Sequence, residues 1–222
     1  MDEHTLFNLA EIEIKGSERP EIILANAPKF KELIMQYECA IMEVSTKLNV
    51  LNNEFSHLHQ RNPIETIKTR IKSTSSIIEK IHRKDLPQTW ETLENRITDI
   101  AGIRVICPFP DDIYIVAKLL AEQDDIVVVE EKDYIKNPKP NGYRSLHLII
   151  QIPIFLASGK KNMNVEVQLR TIAMDFWASL DHKMRYKKDL SNSEEIATEL
   201  RECADIITGM DLKMQNIRKK IQ

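Results

Sequence analysis

Several features that mark common protein classes are scarce or missing in this sequence of 222 residues. The three cysteines, Cys39, Cys107 and Cys203, form no CxxC pair. Neither a disulfide scaffold nor a zinc framework is therefore predicted, and a reducing compartment is indicated. No apolar run approaches the roughly 18 residues of a membrane span, and the N-terminus MDEHTLFNLAEIE is acidic. We therefore expect a cytoplasmic protein without a signal peptide or a membrane contact.

Glycine is also rare, with five residues, and the patterns GxxxxGKS/T and GxGxxG are absent. Neither a P-loop nor a dinucleotide-binding fold is predicted. A phosphate-bearing ligand would therefore be held by side-chain cations rather than by a glycine-rich loop. The net charge of −3 argues against a protein that coats nucleic acid, because such proteins carry a strong basic excess.

The hydrophobic periodicity predicts helices at both ends of the chain and a mixed β–α region between them. The predicted fold class is α/β (α+β), a mixed β-sheet of about four to five strands flanked by helices. The strands are expected at 103–108, 126–131, 145–152 and 162–170. We expect a single domain, 1–222, divided into an arm (1–27), a helical segment (28–62), a core (63–188) and a C-terminal helix (191–222).

Three helical patterns are most evident. Apolar residues spaced alternately by four and three run from Phe30 to Phe55, and again from Ile196 to Ile221. Each seam either packs on the sheet, which is the default expectation, or joins subunits. A further helix is predicted with Asn62 as its N-cap and Pro63 in its first turn, ending near Lys84.

Polar residues alternate with apolar ones along the strand predicted at 162–170. Glu166 lies on the polar face, and His147 lies on the polar side of the strand predicted at 145–152. If the two strands are neighbours, these two side chains share a face. The pattern alone slightly favours a solvated sheet face over the floor of a site.

Asp99 stands just before a strand that contains Arg104. By themselves they indicate a turn aspartate and an edge arginine. Together with Glu166, however, Asp99 supplies the one or two carboxylates with which proteins hold Mg²⁺ on nucleotide phosphates.

Cations collect around the sequence RIKSTSSIIEKIHRK. Arg70 and Lys72 flank the apolar stripe of the predicted helix, and Lys80 and Arg83 follow toward its end. A basic run is more often a solvated face, but beside the hydroxyl groups of STSS and a carboxylate pair it also fits a polyphosphate ligand.

The loop NPKPNGYRSLHL brings an aromatic ring, Tyr143, together with Lys139, Arg144 and His147. A tyrosine ring offers a flat face to a base, and the cations offer contacts to phosphate and sugar oxygens. The loop is typical of a purine-nucleotide cradle.

The stretches RIKSTSSIIEK, DIAGIRVIC, DYIKNPKPNGYRSLHL and VEVQLRTIAMDFWASLDHKMRYK resemble the synthetase domain of the RelA/SpoT family. The resemblance is to its single-domain members, the small alarmone synthetases, which have a nucleotidyltransferase-like core. It implies transfer of a pyrophosphoryl group from ATP to the ribose 3′-oxygen of GDP or GTP, giving AMP and the stringent-response signal (p)ppGpp.

The resemblance also assigns roles. Glu166 would be the general base, and Glu166 and Asp99 would hold Mg²⁺. Arg70 and Arg104 would sandwich the adenine, and Tyr143 would stack on guanine. The remaining ATP-binding residues would be Lys72, Ser76, Lys80 and Arg83, and the remaining GTP- or GDP-binding residues Lys132, Lys139, Arg144, His147 and Gln168.

Two positions depart from the family pattern, Lys132 in place of a frequent arginine and Asp175 in place of a neutral or basic residue. Residues 1–69 show no metal-binding HD dyad, so synthesis without hydrolysis is expected. The family implies a homo-oligomer, specifically a homotetramer, and a guanine nucleotide or RNA as a possible regulator. The alternatives are a catalytically silent guanine-nucleotide sensor on the same scaffold and an RNA-binding module.

Overall fold

A computed structural model describes residues 26–59, 61–185 and 193–221. The predicted arm at 1–27 and the break before the C-terminal helix fall almost wholly outside these ranges. Within the described residues, none of the helices combines the length and the apolar character needed to span a bilayer. In chain order the elements are α1 (Ala27–His59), β1 (Thr66–Ile71), α2 (Thr74–Arg83), α3 (Trp90–Asn95), β2 (Ala101–Cys107), α4 (Pro110–Ala121), β3 (Val127–Asp133), β4 (Leu146–Leu156), β5 (Gly159–Thr171), α5 (Ile172–Arg185) and α6 (Ser193–Ile221).

The chain divides into two compact units. One comprises Met1–Leu33 and Ser73–Ile97, and its described part contains α2 and α3. The other comprises Ile34–Lys72 and Thr98–Gln222 and contains the whole sheet with α4, α5 and α6. The single-domain organisation expected from the sequence stays a prediction.

The five strands form one mixed sheet in the order β1-β2-β5-β4-β3. The central pair, β2 and β5, is parallel, and every other neighbouring pair is antiparallel. Side chains alternate between the two faces of the sheet, and one face is apolar and fully buried, as at Val105, Leu148 and Val167. The predicted fold class is confirmed, and burial of this face specifies the register of the strands that carry the site.

The predicted helix with Asn62 as its N-cap and Pro63 in its first turn, ending near Lys84, is wrong. Its first part is strand β1, whose sequence TIKTRI is rich in β-branched residues that favour extended backbone. The N-cap of α2 is Ser73, whose Oγ accepts a hydrogen bond from the N–H of Ser76 at 3.3 Å. The spacing of the isoleucines is also compatible with a helical period, so it did not indicate the boundary between β1 and α2.

Most of the seam of α1 is buried, and its packing on the sheet stays a prediction. Its central positions are buried in the folded chain, whereas Phe30 and Phe55 near its ends are only partly buried. The buried seam residues are Tyr37, Ile41, Val44, Leu48 and Leu51.

The seam of α6 does not form the buried side of that helix. Leu200, Ala204 and Asp211 are buried, whereas the seam residues Met210 and Met214 are exposed. The default expectation of packing on the sheet is therefore wrong for most of this seam. The buried side of α6 therefore carries both apolar and polar residues, and a stripe of apolar side chains is exposed.

The burial of Cys107 leads to a simple chemical prediction. Cys107 is fully buried at the end of β2, and this burial raises its pKa to about 12, whereas Cys203 is exposed. Because the thiolate is the reactive form, iodoacetamide should label Cys203 and spare Cys107 in the native protein, as read by peptide mass spectrometry. Labelling in denaturant is the control and should reach both thiols. Equal labelling rates in the native protein would contradict the burial of Cys107.

Candidate active site

The strand register places a row of polar side chains straight across the sheet. The residues of this row are paired neighbours on β1, β2, β5, β4 and β3, and their side chains lie on the face opposite the apolar one. In that order they are Lys68, Arg104, Gln168, His147 and Lys132.

A second row lies two residues away on the same face. Arg70 on β1 pairs with Gly102 on β2, which pairs with Glu166 on β5. A Cβ at Gly102 would lie 3.4 Å from both Cγ and Nε of Arg70. The side chain of Arg70 therefore lies over the backbone of β2, on the side of the sheet that carries Glu166.

Glu166 is largely shielded from solvent and accepts two side-chain hydrogen bonds. Its Oε1 lies 3.3 Å from His147 Nδ1, and its Oε2 accepts from Gln168 Nε2 at 2.8 Å. The prediction that His147 and Glu166 share a face is confirmed. Burial alone would raise the pKa of Glu166, but the hydrogen bond from His147, the charge of that ring when protonated and the bond from Gln168 together lower it. The carboxylate is therefore ionised at neutral pH.

Asp99 lies just before β2, where its Oδ2 is 2.7 Å from the Nζ of Lys72. Its negative charge opposes ionisation of Glu166, so the two carboxylates are close enough to interact. Among the described residues, no group of three or more His, Cys, Asp or Glu side chains is assembled to bind a metal ion. Two carboxylates are enough for a Mg²⁺ ion whose other ligands are phosphate oxygens and water. They are too few for a metal ion that is held by protein side chains alone.

An aromatic cluster borders the polar rows where the loop 137–144 enters β4. The rings of Tyr143 and His147 lie 5.9 Å apart, and Tyr134, which the sequence analysis did not single out, lies 5.2 Å from His147. The Nζ of Lys139 stands 4.7 Å from the centroid of Tyr134 and 4.8 Å from that of Tyr143. The structure thus gathers three of the predicted guanine-side residues, Lys139, Tyr143 and His147, into one aromatic and cationic group.

The loop itself is fixed by Gly142 and Arg144. Gly142 has a φ of 87°, and a Cβ there would lie 2.6 Å from that of Ala204 on α6, so only glycine fits this close approach. Arg144 donates to the carbonyl of Ile135 at 3.1 Å and to Asp205 at 3.2 Å. Its predicted contact with the acceptor nucleotide stays a prediction, and what the structure shows is that Arg144 braces the loop.

Asp175, in the first turn of α5, accepts hydrogen bonds from two arginines. Its Oδ1 lies 3.1 Å from Arg104 Nη1 and 3.3 Å from Arg170 Nη1, and its Oδ2 lies 3.5 Å from Lys68. The alternation of β5 put Arg170 on the polar side of that strand, but no signal in the sequence paired it with Asp175. Asp175, which departs from the family pattern, thus balances the positive charges of Lys68, Arg104 and Arg170.

The remaining predicted residues are placed as follows. Lys132 is half exposed on β3, with its Nζ 2.9 Å from Glu130. Ser76, Lys80 and Arg83 lie on α2 at a spacing of four and three, so they share one side of that helix. Their contacts with ATP phosphates, like all the roles assigned above, stay predictions.

Comparison with known proteins places these features in a family. The region found in RelA/SpoT proteins matches residues 69–191. The GTP pyrophosphokinase YwaC of Bacillus subtilis (strain 168) is 43% identical over 192 residues, covering 86% of this chain and 91% of that protein. The GTP pyrophosphokinase YjbM of the same organism is 35% identical over 195 residues, covering 87% and 90%.

A solved structure agrees over nearly its whole length. The small alarmone synthetase 1 of Bacillus subtilis, crystallised with its product pppGpp, superimposes with a TM-score of 0.80 at 35% identity, covering 87% of this chain and 98% of that one. The fold and the polar face of the sheet therefore define an α+β protein of the alarmone synthetase class. This chain belongs to the RelA/SpoT family.

Proposed function

We propose that this chain is a GTP pyrophosphokinase, which transfers the pyrophosphoryl group of ATP to the 3′-oxygen of GTP or GDP. The oxygen attacks the β-phosphorus of ATP, the bond from that phosphorus to the α-phosphate oxygen breaks, and AMP leaves. The products are AMP and (p)ppGpp. The observation that carries the proposal is the position of Glu166, between the arginines of β1 and β2 on one side and the aromatic cluster on the other.

The donor side rests on Arg70 and Arg104. Arg104 donates to Asp175, and because the N–H groups of a guanidinium lie in its plane, such a bond leaves its flat faces for a base. Arg70 lies over Gly102 on the same face of the sheet. Two arginines held this way would clasp an adenine ring between them.

The acceptor side rests on the aromatic cluster. Tyr143 packs against the buried cluster that includes Trp177 and Leu200, which holds its ring in place. A base stacked on such a ring gains roughly 1–3 kcal/mol in comparable nucleotide complexes. Lys139 and His147, next to the ring, would bind the phosphates and the ribose.

Glu166 would accept the proton of the 3′-hydroxyl. Its low pKa makes it a weak base, which suffices for phosphoryl-type transfer, where positioning and charge neutralisation supply most of the rate. Asp99 and Glu166 would hold Mg²⁺ together with nucleotide phosphates, and the ion would neutralise phosphate charge as the bond breaks. Lys72, which neutralises Asp99, would supply positive charge to the phosphates.

The test is incubation of the purified protein with ATP, Mg²⁺ and either GTP or GDP, with the nucleotides separated by anion exchange. AMP and guanosine penta- or tetraphosphate should appear in equal amounts and only when both substrates are present. AMP formation without the guanosine product, or no turnover with both nucleotides bound, would overturn the proposal.

The close approach of Arg70 to Gly102 leads to a graded prediction. Alanine at 102 would place its Cβ in ordinary contact with Arg70, whereas the methyl groups of valine need the space that Arg70 fills. We expect Gly102→Val to raise the KM for ATP about tenfold, or about 1.4 kcal/mol, with the KM for GTP little changed. Gly102→Ala is the matched control and should stay near wild type in steady-state kinetics. Equal effects of the two variants on both substrates would contradict this position of Arg70.

We also propose that the chain forms a homo-oligomer, a homotetramer by family. Helix α5 exposes a stripe of apolar side chains four residues apart, and α6 exposes another. Such stripes are unusual on monomers and mark interaction surfaces. The α5 stripe comprises Ile172, Phe176, Leu180 and Met184, and the α6 stripe includes Ile206, Met210, Ile217 and Ile221. Light scattering after gel filtration should give a tetramer mass, and Phe176→Glu should lower it.

A further inference from the structure

Tyr134 is the first residue after the edge strand β3, and hydrogen bonds fix the backbone around it. Its own N–H donates to the carbonyl of Ser145 at 3.0 Å, which continues the pairing of β3 with β4. The carboxylate of Asp133 accepts from the N–H groups of Ile135 and Lys136 at 2.9 and 3.0 Å and so closes a turn. The half-buried ring of Tyr134 is therefore anchored to the sheet.

The ring of Tyr134 contacts three residues that are expected to bind the acceptor nucleotide. Its centroid lies 6.0 Å from that of Tyr143 and 5.2 Å from that of His147, at interplanar angles of 67° and 87°. These are the edge-to-face arrangements that aromatic rings favour. The Nζ of Lys139 lies 4.7 Å from the same centroid, within the range of a cation–π contact. Tyr134 therefore stands beside all three.

Lys139 is an exposed lysine whose ammonium group is nevertheless held in one place. Its N–H donates to the carbonyl of Tyr143 at 3.2 Å, and its carbonyl accepts from the N–H of Gly142 at 2.8 Å, so its backbone is fixed within the loop. The Nζ is shared between two rings, 4.7 Å from the centroid of Tyr134 and 4.8 Å from that of Tyr143. No carboxylate in the described part of the chain forms an ion pair with it. Its positive charge is therefore available to an anion.

We propose that Tyr134 is a positioning residue of the acceptor subsite, whose ring holds the ammonium group of Lys139 for the phosphates of the guanine nucleotide. This inference rests on the proposed function, in which the base stacks on Tyr143. A base there takes up a ring that Lys139 also contacts, whereas the contact with Tyr134 is kept. Because Tyr134 is anchored to the sheet and Lys139 extends from a loop, the ring fixes the lysine and not the reverse.

The ring contributes by ordering the lysine before the ligand binds. A lysine side chain on a protein surface samples many rotamers, and ordering it costs entropy when a ligand binds. An ammonium group that already lies against an aromatic ring loses less freedom when a phosphate group arrives. The negative face of the ring supplies this effect, so phenylalanine should replace Tyr134 and an aliphatic side chain should not.

The experiment measures GDP binding to the free protein by calorimetry, without ATP. Tyr134→Met removes the ring and keeps a long apolar side chain, so it should raise the Kd about threefold to tenfold, the effect of one cation–π contact. Tyr134→Phe should bind GDP like the wild type. Phe155→Met is the matched control, because it removes a ring that lies 6.0 Å from the Nζ of Lys160, at the other end of β4 from His147. It should leave the Kd unchanged.

A cycle with Lys139→Met separates positioning from general support of the fold. In the K139M background, Y134M should cause no further loss of GDP affinity, because the ring acts through the ammonium group. In steady-state kinetics Y134M should raise the KM for GDP and leave kcat within about twofold of wild type, since Tyr134 would not touch the reacting atoms. A full additional loss in the double variant, or equal losses in Y134F and Y134M, would overturn the proposal.

The same measurements distinguish this inference from the proposed function. Wild-type protein that binds no GDP would overturn both, whereas GDP binding that Y134M leaves intact would overturn the inference alone. Should Y134M fail to fold, pentafluorophenylalanine introduced at position 134 decides, because it keeps the shape of the ring and removes the negative character of its face. Weaker GDP binding in that protein supports the positioning role, and unchanged binding overturns it.

Discussion

Glu166→Gln is expected to lower kcat by roughly 10²–10⁴-fold, the usual contribution of a general base. Glutamine keeps the shape and a hydrogen-bonding oxygen for His147 but loses the negative charge that accepts a proton. The KM for GTP should change little, because the aromatic cluster that would hold its base remains, whereas the KM for ATP should rise if Glu166 also holds the Mg²⁺ on its phosphates. Initial rates of AMP release at saturating substrates measure the effect.

The matched control is Glu131→Gln, the same change on β3 at a residue that pairs with Leu148 and so lies on the opposite face of the sheet. It should leave kcat within about twofold of wild type, as expected for a surface substitution. A loss of comparable size in both variants would point to destabilisation rather than to base catalysis. A Glu166→Gln variant with near wild-type kcat would remove this residue from the chemistry.

The pKa of Glu166 predicts how the stability of the fold and the value of kcat depend on pH. Because its pKa in the folded chain lies below the usual value, this carboxylate stabilises the fold at neutral pH and loses that contribution only as the pH falls through the acid range, below roughly pH 4.5. Any decline of kcat between about pH 7 and 5 must then come from a group other than Glu166.

The sequence predicted which polar residues share a face of the sheet better than it predicted which strands pair with each other. Side chains along β5 alternate with a period of two, so the sequence alone places Glu166 and Gln168 on one face of the strand. His147 lies on the same face because β4 is the strand next to β5. In contrast, the parallel pairing of β2 with β5 depends on which strands meet in space. It brings Gly102 beside Glu166, and no local pattern shows that.

Two further features were beyond local reasoning for different reasons. Isoleucines spaced by three and four residues satisfy a helical period across strand β1, whereas its β-branched residues and the N-cap Ser73 decide where the strand ends and α2 begins. The ion pair of Arg170 with Asp175 forms across the junction of β5 and α5. Its existence depends on the angle at which the helix leaves the sheet, which residue types alone do not determine.

Asp99→Asn is the second substitution with a large expected effect. The amide loses the charge with which Asp99 would bind Mg²⁺ and with which it now neutralises Lys72. A metal ion stabilises phosphoryl-type transition states by several kcal/mol, so kcat at a fixed Mg²⁺ concentration should fall by about a hundredfold or more. The distinguishing readout is a Mg²⁺ titration, in which the half-maximal concentration should rise and high Mg²⁺ should restore part of the rate.

Asp125→Asn is the control for this substitution, because it removes an aspartate whose ion pair with Lys47 is partly exposed. Such a pair contributes about 0–1 kcal/mol, so neither kcat nor the Mg²⁺ requirement should move. Calorimetry of ATP binding with and without Mg²⁺ then separates two roles of Asp99. If D99N weakens ATP binding only when Mg²⁺ is present, Asp99 acts through the metal. If binding weakens equally in both conditions and the Mg²⁺ requirement is unchanged, Asp99 serves only to hold Lys72, and the metal must depend on Glu166 and the phosphates.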